Sequence, residues 1–357
     1  MKKKKTIILG IETSCDETAV SVLEHENNKR PKILSNIVSS QFDIHEKFGG
    51  VVPELAARSH LEKIDLITNE ALKKSKININ KIDAIAATAG PGLIVCLSVG
   101  LNFAKALSVS LRKPLIAVNH LEGHALSPKL NSELKFPYLL FLISGGHTQF
   151  LSVDGLGKYK RLGTTIDDAL GEAYDKVSKI MNFTYPGGPI IEQLSKKGNK
   201  DRFKLPKPIF YKGGSNMSFA GLKTAVLRLK NSLKTNKDKC DLAASFQKTI
   251  IEILIKKTKN AIDEHIENYP SNRSLVVAGG VASNKEIRKN LKKLCNQENF
   301  EIFFPNIEIC TDNAAMIALV GLEKYKKKKF DSLDFEVKPR WPLDRKAKFL
   351  KGAGVKL

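Results

Sequence analysis

The chain of 357 residues has few cysteines, and none are spaced C-x-x-C. Its five, Cys15, Cys96, Cys240, Cys295 and Cys310, are odd in number and widely scattered. That argues against a disulfide framework and against a thiolate zinc site. No apolar run approaches the ~18 residues that a membrane span needs. The opening Met1-Lys2-Lys3-Lys4-Lys5-Thr6-Ile7-Ile8-Leu9-Gly10 has the charge of a leader, but its apolar stretch is three residues long and is soon followed by Glu12, Asp16 and Glu17. A secretory leader needs ~7–15 apolar residues, so the protein is expected to stay in the cytoplasm. There is no long linker. Hydrophobic residues make up 42%, enough for sizeable cores, and the length suggests about two lobes.

Charge of one sign is in excess. Lys and Arg number 59 against 37 Asp and Glu, giving +22. A polyanionic partner such as RNA would account for this. A composition rich in Lys, Asn and Ile throughout would account for it equally. Clusters such as Lys326 to Lys329 read as solvated faces first and RNA contacts second.

Thr6 to Ile11 is an apolar strand, Glu12-Thr13-Ser14-Cys15-Asp16-Glu17-Thr18 a polar turn, and Ala19 to Leu23 a returning strand. About 130 residues later the arrangement recurs, with strands Tyr138 to Ile143 and Gln149 to Val153 around Ser144-Gly145-Gly146-His147-Thr148. Each hairpin is followed by strands alternating with helices: Ile82 to Thr88 then Leu93 to Leu111, and Leu275 to Ala278 then Asn284 to Leu294. The pattern predicts an α/β protein with mixed sheets and an internal duplication. The expected boundaries are 6–133 for a first lobe, 134–330 for a second that carries Asp312 near its end, and 331–357 for a tail. Ligands are expected in a cleft between the lobes.

Four Gly-rich turns stand at element ends: Ala89-Gly90-Pro91-Gly92, Ser144-Gly145-Gly146, Tyr185-Pro186-Gly187-Gly188-Pro189 and Gly279-Gly280-Val281-Ala282-Ser283-Asn284. Glycine lets a backbone approach a ligand, and a helix N-terminus favours anions. None matches the P-loop or dinucleotide patterns. Together they suggest one nucleotide or phosphate site. Asn284 either caps its helix or bonds a ligand.

His120 and His124, in Asn119-His120-Leu121-Glu122-Gly123-His124, share one helix face at i and i+4 and can share a metal. Two polar helix residues with structural partners would look the same. Glu122 falls roughly 200° around the helix from His120, so it is poorly placed as the base of an H-E-x-x-H peptidase. Asp312, in Cys310-Thr311-Asp312-Asn313, is either a helix cap or a third ligand. Two histidines and a carboxylate with open positions favour Fe²⁺, with Zn²⁺ next.

At these residues the chain resembles the universal tRNA threonylcarbamoyladenosine synthesis family. The segments that carry the likeness are Gly10 to Thr18, Gly49-Gly50-Val51-Val52-Pro53-Glu54-Leu55-Ala56, Asn119 to His124, Ser144 to Gln149 and Cys310 to Asn313. Pro186-Gly187-Gly188-Pro189, Ser218 to Thr224 and Pro339-Arg340-Trp341-Pro342-Leu343 add to it. The likeness covers about residues 6–343. It implies an actin-like, Hsp70-like ATPase fold of two ribonuclease-H-like lobes. It also implies transfer of a threonylcarbamoyl group from threonylcarbamoyl-AMP to adenosine 37 of tRNAs reading codons that begin with adenine. One iron is implied on His120, His124 and Asp312. Substrate contacts are implied at Leu142, Ile143, Ser144, Gly145, Gly146, Asp175, Gly188 and Asn284, with Glu192 in some members. Implied partners are a smaller paralogue of the same fold and a P-loop ATPase, with a separate enzyme supplying the adenylate. Asp16 and Glu17 are candidate bases, and neither is singled out. The rival readings are a sugar- or acetate-kinase-like phosphotransferase, a metallopeptidase and a non-catalytic RNA-binding scaffold.

Overall fold

The computed structural model describes residues 5–27 and 29–348. The lysines of the opening run before Lys5, and the last part of the expected tail, 349–357, lie outside them. The chain forms two compact units.

The first unit runs through Leu134 and resumes at Glu308–Arg345. Its strands are β1 (Lys5–Glu12), β2 (Glu17–Glu26), β3 (Lys32–Ser40), β4 (Ala84–Gly90) and β5 (Leu115–Asn119). Its helices include α1 (Phe42–His45), α2 (Pro53–Ser75), α3 (Ile94–Leu111) and α4 (His120–Leu126). The sheet order is β3-β2-β1-β4-β5. β1, β2 and β3 pair antiparallel, and β4 and β5 join parallel. The central strands are buried on both faces, as helix-covered parallel strands must be, so β4 reads Ala-Ile-Ala-Ala-Thr-Ala-Gly without alternation. Helix α3 is long and apolar enough to cross a membrane by length and composition. The expectation of no such segment missed it because Asn102 and Lys105 interrupt the run. One face of α3 buries Cys96, Leu97, Gly100, Leu101, Ala104 and Ser108, and it packs on β4 and α2.

The second unit is Lys135–Ile307, joined by residues 346–348. It holds β6 (Tyr138–Ile143), β7 (Thr148–Gly155), β8 (Lys158–Thr164), β9 (Ser274–Ala278) and β10 (Glu301–Phe303). Its helices are α5 (Leu170–Ile180), α6 (Gly187–Ser195), α7 (Ala220–Leu229), α8 (Asn236–Asn268) and α9 (Lys285–Gln297). The sheet order is β10-β9-β6-β7-β8. Again the first three strands are antiparallel and the last two join parallel. Both units therefore have one topology, the physical form of the duplication read in the sequence. Phe141 and Phe150 stack across β6 and β7 at 4.0 Å between centroids, in a core completed by Tyr174, Phe219 and Phe246.

The expected second boundary is corrected. Residues 308–330 belong to the first unit, not to the end of the second. The reason is α10 (Ala314–Lys326), which is buried at every position from Ala314 to Leu322 and packs on β1, β2 and β4. A helix apolar on all sides must be enclosed, and here the first unit's sheet encloses it. Nor is 331–345 a separate tail. Phe335, Val337 and Trp341 pack on the first unit's core, and Lys338 donates its backbone N–H to Ala89.

Candidate functional site

Strand β5 ends at Asn119, and Asn119 starts α4. Its Oδ1 accepts the N–H groups of Leu121 at 2.9 Å and Glu122 at 3.3 Å. This cap makes His120 the first helical residue and puts His124 one turn later, on the same face. Asn119 Nδ2 donates to the Trp341 carbonyl at 2.8 Å, so the near-terminal Pro-Arg-Trp-Pro segment holds the cap. Asn119→Ala should cost about 1 kcal/mol of stability. Urea unfolding checks this, and an unchanged midpoint would refute the role.

Asp312 and Asn313 are both capable of capping α10, and the structure assigns the cap to Asn313. Asn313 Oδ1 accepts the Met316 N–H at 3.1 Å, while its amide group donates to Ile309 and Thr311. Asp312 is left to the histidines. Its Oδ1 lies 3.0 Å from His124 Nε2 and 3.4 Å from His120 Nε2. The ligand atoms of all three lie within 4.8 Å of one another. Two donors bound at ~2.1 Å to one metal lie ~3.0 Å apart at right angles and ~3.4 Å apart in a tetrahedron. The donor set, and the two separations to Asp312, therefore fit a metal. His124 points only Nε2 at the cluster, and its buried Nδ1 has no hydrogen-bond partner among the described residues.

Around this trio sits a shell the sequence reading did not single out. Glu12 Oε2 is 3.0 Å from His120 Nδ1. Thr88 Oγ1 donates to the same Glu12 oxygen at 2.6 Å, and the Ser14 N–H donates to its other oxygen at 2.5 Å. A carboxylate on the far nitrogen of a ligating imidazole fixes ring orientation and tautomer. Burial opposes charge on His120, but Asp312 and Glu12 outweigh it and hold the ring well above its ordinary value. Burial opposes charge on Asp312 too, yet His120 and His124 hold it far below the carboxylate range. Carboxylates on both sides of the His120 ring thus favour positive charge at this position.

Of the candidate bases, Glu17 is pushed well above its ordinary value by burial, then by Asp312 and Asp16. Asp16 is buried and its backbone carbonyl accepts the Gln41 N–H. Glu122 is buried in α4 but is not among the clustered ligand groups.

The second unit gathers the remaining predicted residues. Leu142 and Ile143 are fully buried in β6, so they can offer a ligand only backbone atoms. Ser144 closes the turn to β7, its N–H donating to His147 at 2.7 Å. A side chain on Gly145, Gly146 or Gly188 would meet nothing within 4 Å. Their neighbours are jammed. A Cβ on Gly171 would lie 2.8 Å from Gly145, one on Gly187 would lie 2.6 Å from the Tyr174 carbonyl, and one on Gly279 would lie 2.4 Å from the Ile143 carbonyl. The jammed glycines draw the turns together, and the open ones border free space. Asp175 Oδ1 accepts the Gly187 N–H at 2.7 Å, and Glu192 accepts the Lys285 N–H at 2.9 Å. Asn284 caps α9 through the Ile287 N–H at 3.0 Å, and its amide also pairs with Gln247, which accepts from Tyr174 Oη at 3.0 Å. Gln247 has no counterpart in the sequence reading; an amide directly after the largely apolar Ala243-Ala244-Ser245-Phe246 is the signal for it.

The remaining Gly-rich turn lies in the first unit, where Gly92 packs against Ser14 and Gly90, at φ +145°, against the Lys338 carbonyl. These glycines serve close packing.

Comparison with known proteins shows the family. The family model for tRNA N6-adenosine threonylcarbamoyltransferase matches residues 32–319. A tRNA N6-adenosine threonylcarbamoyltransferase from Pelagibacter ubique is 66% identical over 355 residues, 99% of either chain. One from Brucella suis is 49% identical over 351 residues, 97% of this chain and 98% of its own. The solved structure of full-length HypF in its phosphate- and nucleotide-bound form covers 93% of this chain at TM-score 0.56 and 12% identity. This chain spans 48% of that protein, and the likeness shows the actin-like ATPase fold alone. By its matches over nearly the whole chain, the protein belongs to the tRNA N6-adenosine threonylcarbamoyltransferase family.

Proposed function

We propose that this chain transfers a threonylcarbamoyl group from threonylcarbamoyl-AMP to the exocyclic N6 amine of adenosine 37 in tRNAs reading codons that begin with adenine. Membership of the family over nearly the whole chain carries this reading. The phosphotransferase and peptidase alternatives are not favoured. A kinase site needs carboxylate-held Mg²⁺ rather than a His pair, and Glu122 lies outside the His/His/Asp cluster.

His120, His124 and Asp312 are proposed to hold one Fe²⁺, with Zn²⁺ the second choice. Such an ion, when bound, supplies Lewis-acid polarisation to the donor's threonylcarbamoyl oxygens. The chain's own work is positioning. Glu12 fixes the His120 ring, with Ser14 and Thr88 fixing Glu12 in turn. The open turn at Gly145 and Gly146, and Gly188 at the start of α6, would receive the adenylate. Asp175, Glu192 and Asn284 hold the helix starts beside those turns. The mixed anhydride is already activated, so the reaction needs orientation of a weak amine nucleophile more than a covalent intermediate. A smaller paralogue and a P-loop ATPase are the proposed partners, in the cytoplasm.

The test is incubation of the full chain, with and without those partners, with threonylcarbamoyl-AMP and tRNA. Mass spectrometry of the nucleosides should show the modified adenosine, and its absence in both arms would overturn the reading. Glu12→Gln should weaken metal affinity about 10- to 100-fold with the fold intact. Competition against a chelator measures this.

A further inference from the structure

Helix α9 reads Lys285-Glu286-Ile287-Arg288-Lys289-Asn290-Leu291-Lys292-Lys293-Leu294-Cys295-Asn296-Gln297. Ile287, Leu291, Leu294 and Cys295 face the core of the second unit. The opposite face carries five cations and borders an open groove of about 840 Å³ lined by Lys285, Arg288, Lys289, Lys292, Lys293 and Ile307, with two amides. Resting on the transfer reading above, we infer that this face is the docking strip for the phosphate backbone of the substrate tRNA.

Three observations support the strip. First, its five cations stand within nine residues of one helix, and Lys285, Lys289, Lys292 and Lys293 form no salt bridge among the described residues. Cations without local counter-charges release most from a polyanion's ion atmosphere when they bind it. Second, Arg288 is held in place. Its guanidinium donates to the Pro305 carbonyl at 2.8 Å and stacks over Phe304 at 4.6 Å. A pre-set cation loses little side-chain freedom on binding. Third, the strip begins directly after Asn284, which ends the Gly-rich turn, and Glu192 and Asn284 hold the backbone of its first turn. RNA lying on α9 is thereby brought beside the turns proposed to hold the donor.

Lys285 to Lys293 spans ~12 Å of helix. One strand of a duplex presents a phosphate every ~3.4 Å of axis, so the strip faces about three or four. Such contacts place the RNA without reading its sequence.

The test is tRNA binding by the full chain, measured against salt. Lys289→Glu, Lys292→Glu and Lys293→Glu together should weaken binding at least ~10-fold at 0.15 M salt and flatten the log–log salt slope by about 2 to 3. Binding of threonylcarbamoyl-AMP should be unchanged. The same reversal at Lys327, Lys328 and Lys329 should leave the slope within about 1 of wild type. A set of Lys→Gln changes at 289, 292 and 293 gives the same direction should the reversed chain fold poorly. Equal losses from both clusters, or an unchanged slope in the α9 variant, overturn the strip. So does loss of binding to an acidic protein partner with tRNA binding intact. If wild type fails to modify tRNA yet loses tRNA binding on reversal of α9, the strip stands and the transfer reading falls.

Discussion

His124→Ala is expected to leave less than one-tenth of the wild-type metal and to slow threonylcarbamoyl transfer by about 100-fold or more. Losing a residue that supports a ligand typically costs 10- to 100-fold, and losing a ligand costs at least that. His124 is fully buried, and the only hydrogen bond of its ring among the described residues runs through Nε2 to Asp312. Asp312→Ala should have the same effect, because it removes the one oxygen both rings share. The double variant should be hardly worse than either single one, since residues acting as a unit are strongly non-additive. A purely structural trio predicts otherwise. It would give wild-type protein one melting temperature with and without Fe²⁺, whereas a bound ion at 100 times its Kd stabilises by about 2.7 kcal/mol. Elemental analysis, a melt with and without ion, and single-turnover transfer make the comparison. Full transfer by metal-free His124→Ala would end the metal proposal.

The histidine pair was legible because helical spacing is a local property. So were the two hairpins, since strand, polar turn and strand are written in consecutive residues. What the residues alone left open was long-range. Asp312 sits 188 positions from His124, and the chain had already built a second unit before returning to supply it. Nothing in Cys310-Thr311-Asp312-Asn313 says which of two adjacent cap-formers will cap. Geometry gives that task to Asn313 and releases Asp312. Glycines were misread for a related reason. Gly90, Gly92, Gly145 and Gly146 look alike in sequence, yet the first two are wedged against backbone and the last two border open space. A letter reports a missing side chain and not what stands where the side chain would be. Glu12 lies in the segment Gly10 to Thr18, but that segment does not mark its role, because its partners Thr88 and His120 come from another strand and a helix.

That difference between glycines gives the second large prediction, Gly10→Ala. A Cβ on Gly10 in β1 would lie 2.4 Å from the Ala314 carbonyl, 2.7 Å from the Ala318 nitrogen and 2.8 Å from the Ala318 Cβ. These are backbone and first side-chain atoms of α10, which no rotamer change can move aside. The sheet and helix must separate, and close-packed interiors resist that. Overpacking of this kind costs about 3 kcal/mol. For a unit of this size that is a fall of about 6–12 °C in melting temperature, read by calorimetry. The loss should reach the metal as well, because Asp312 stands two residues before α10 begins and Asn313 caps it. Gly146→Ala is the contrast. Its Cβ meets nothing, so stability should stay within about 0.5 kcal/mol while transfer falls, if the open turn receives the donor. A Gly10→Ala chain that melts with wild type would mean α10 does not rest on β1 as closely as its buried face requires. A Gly146→Ala chain with full activity would move the donor away from the Ser144 turn.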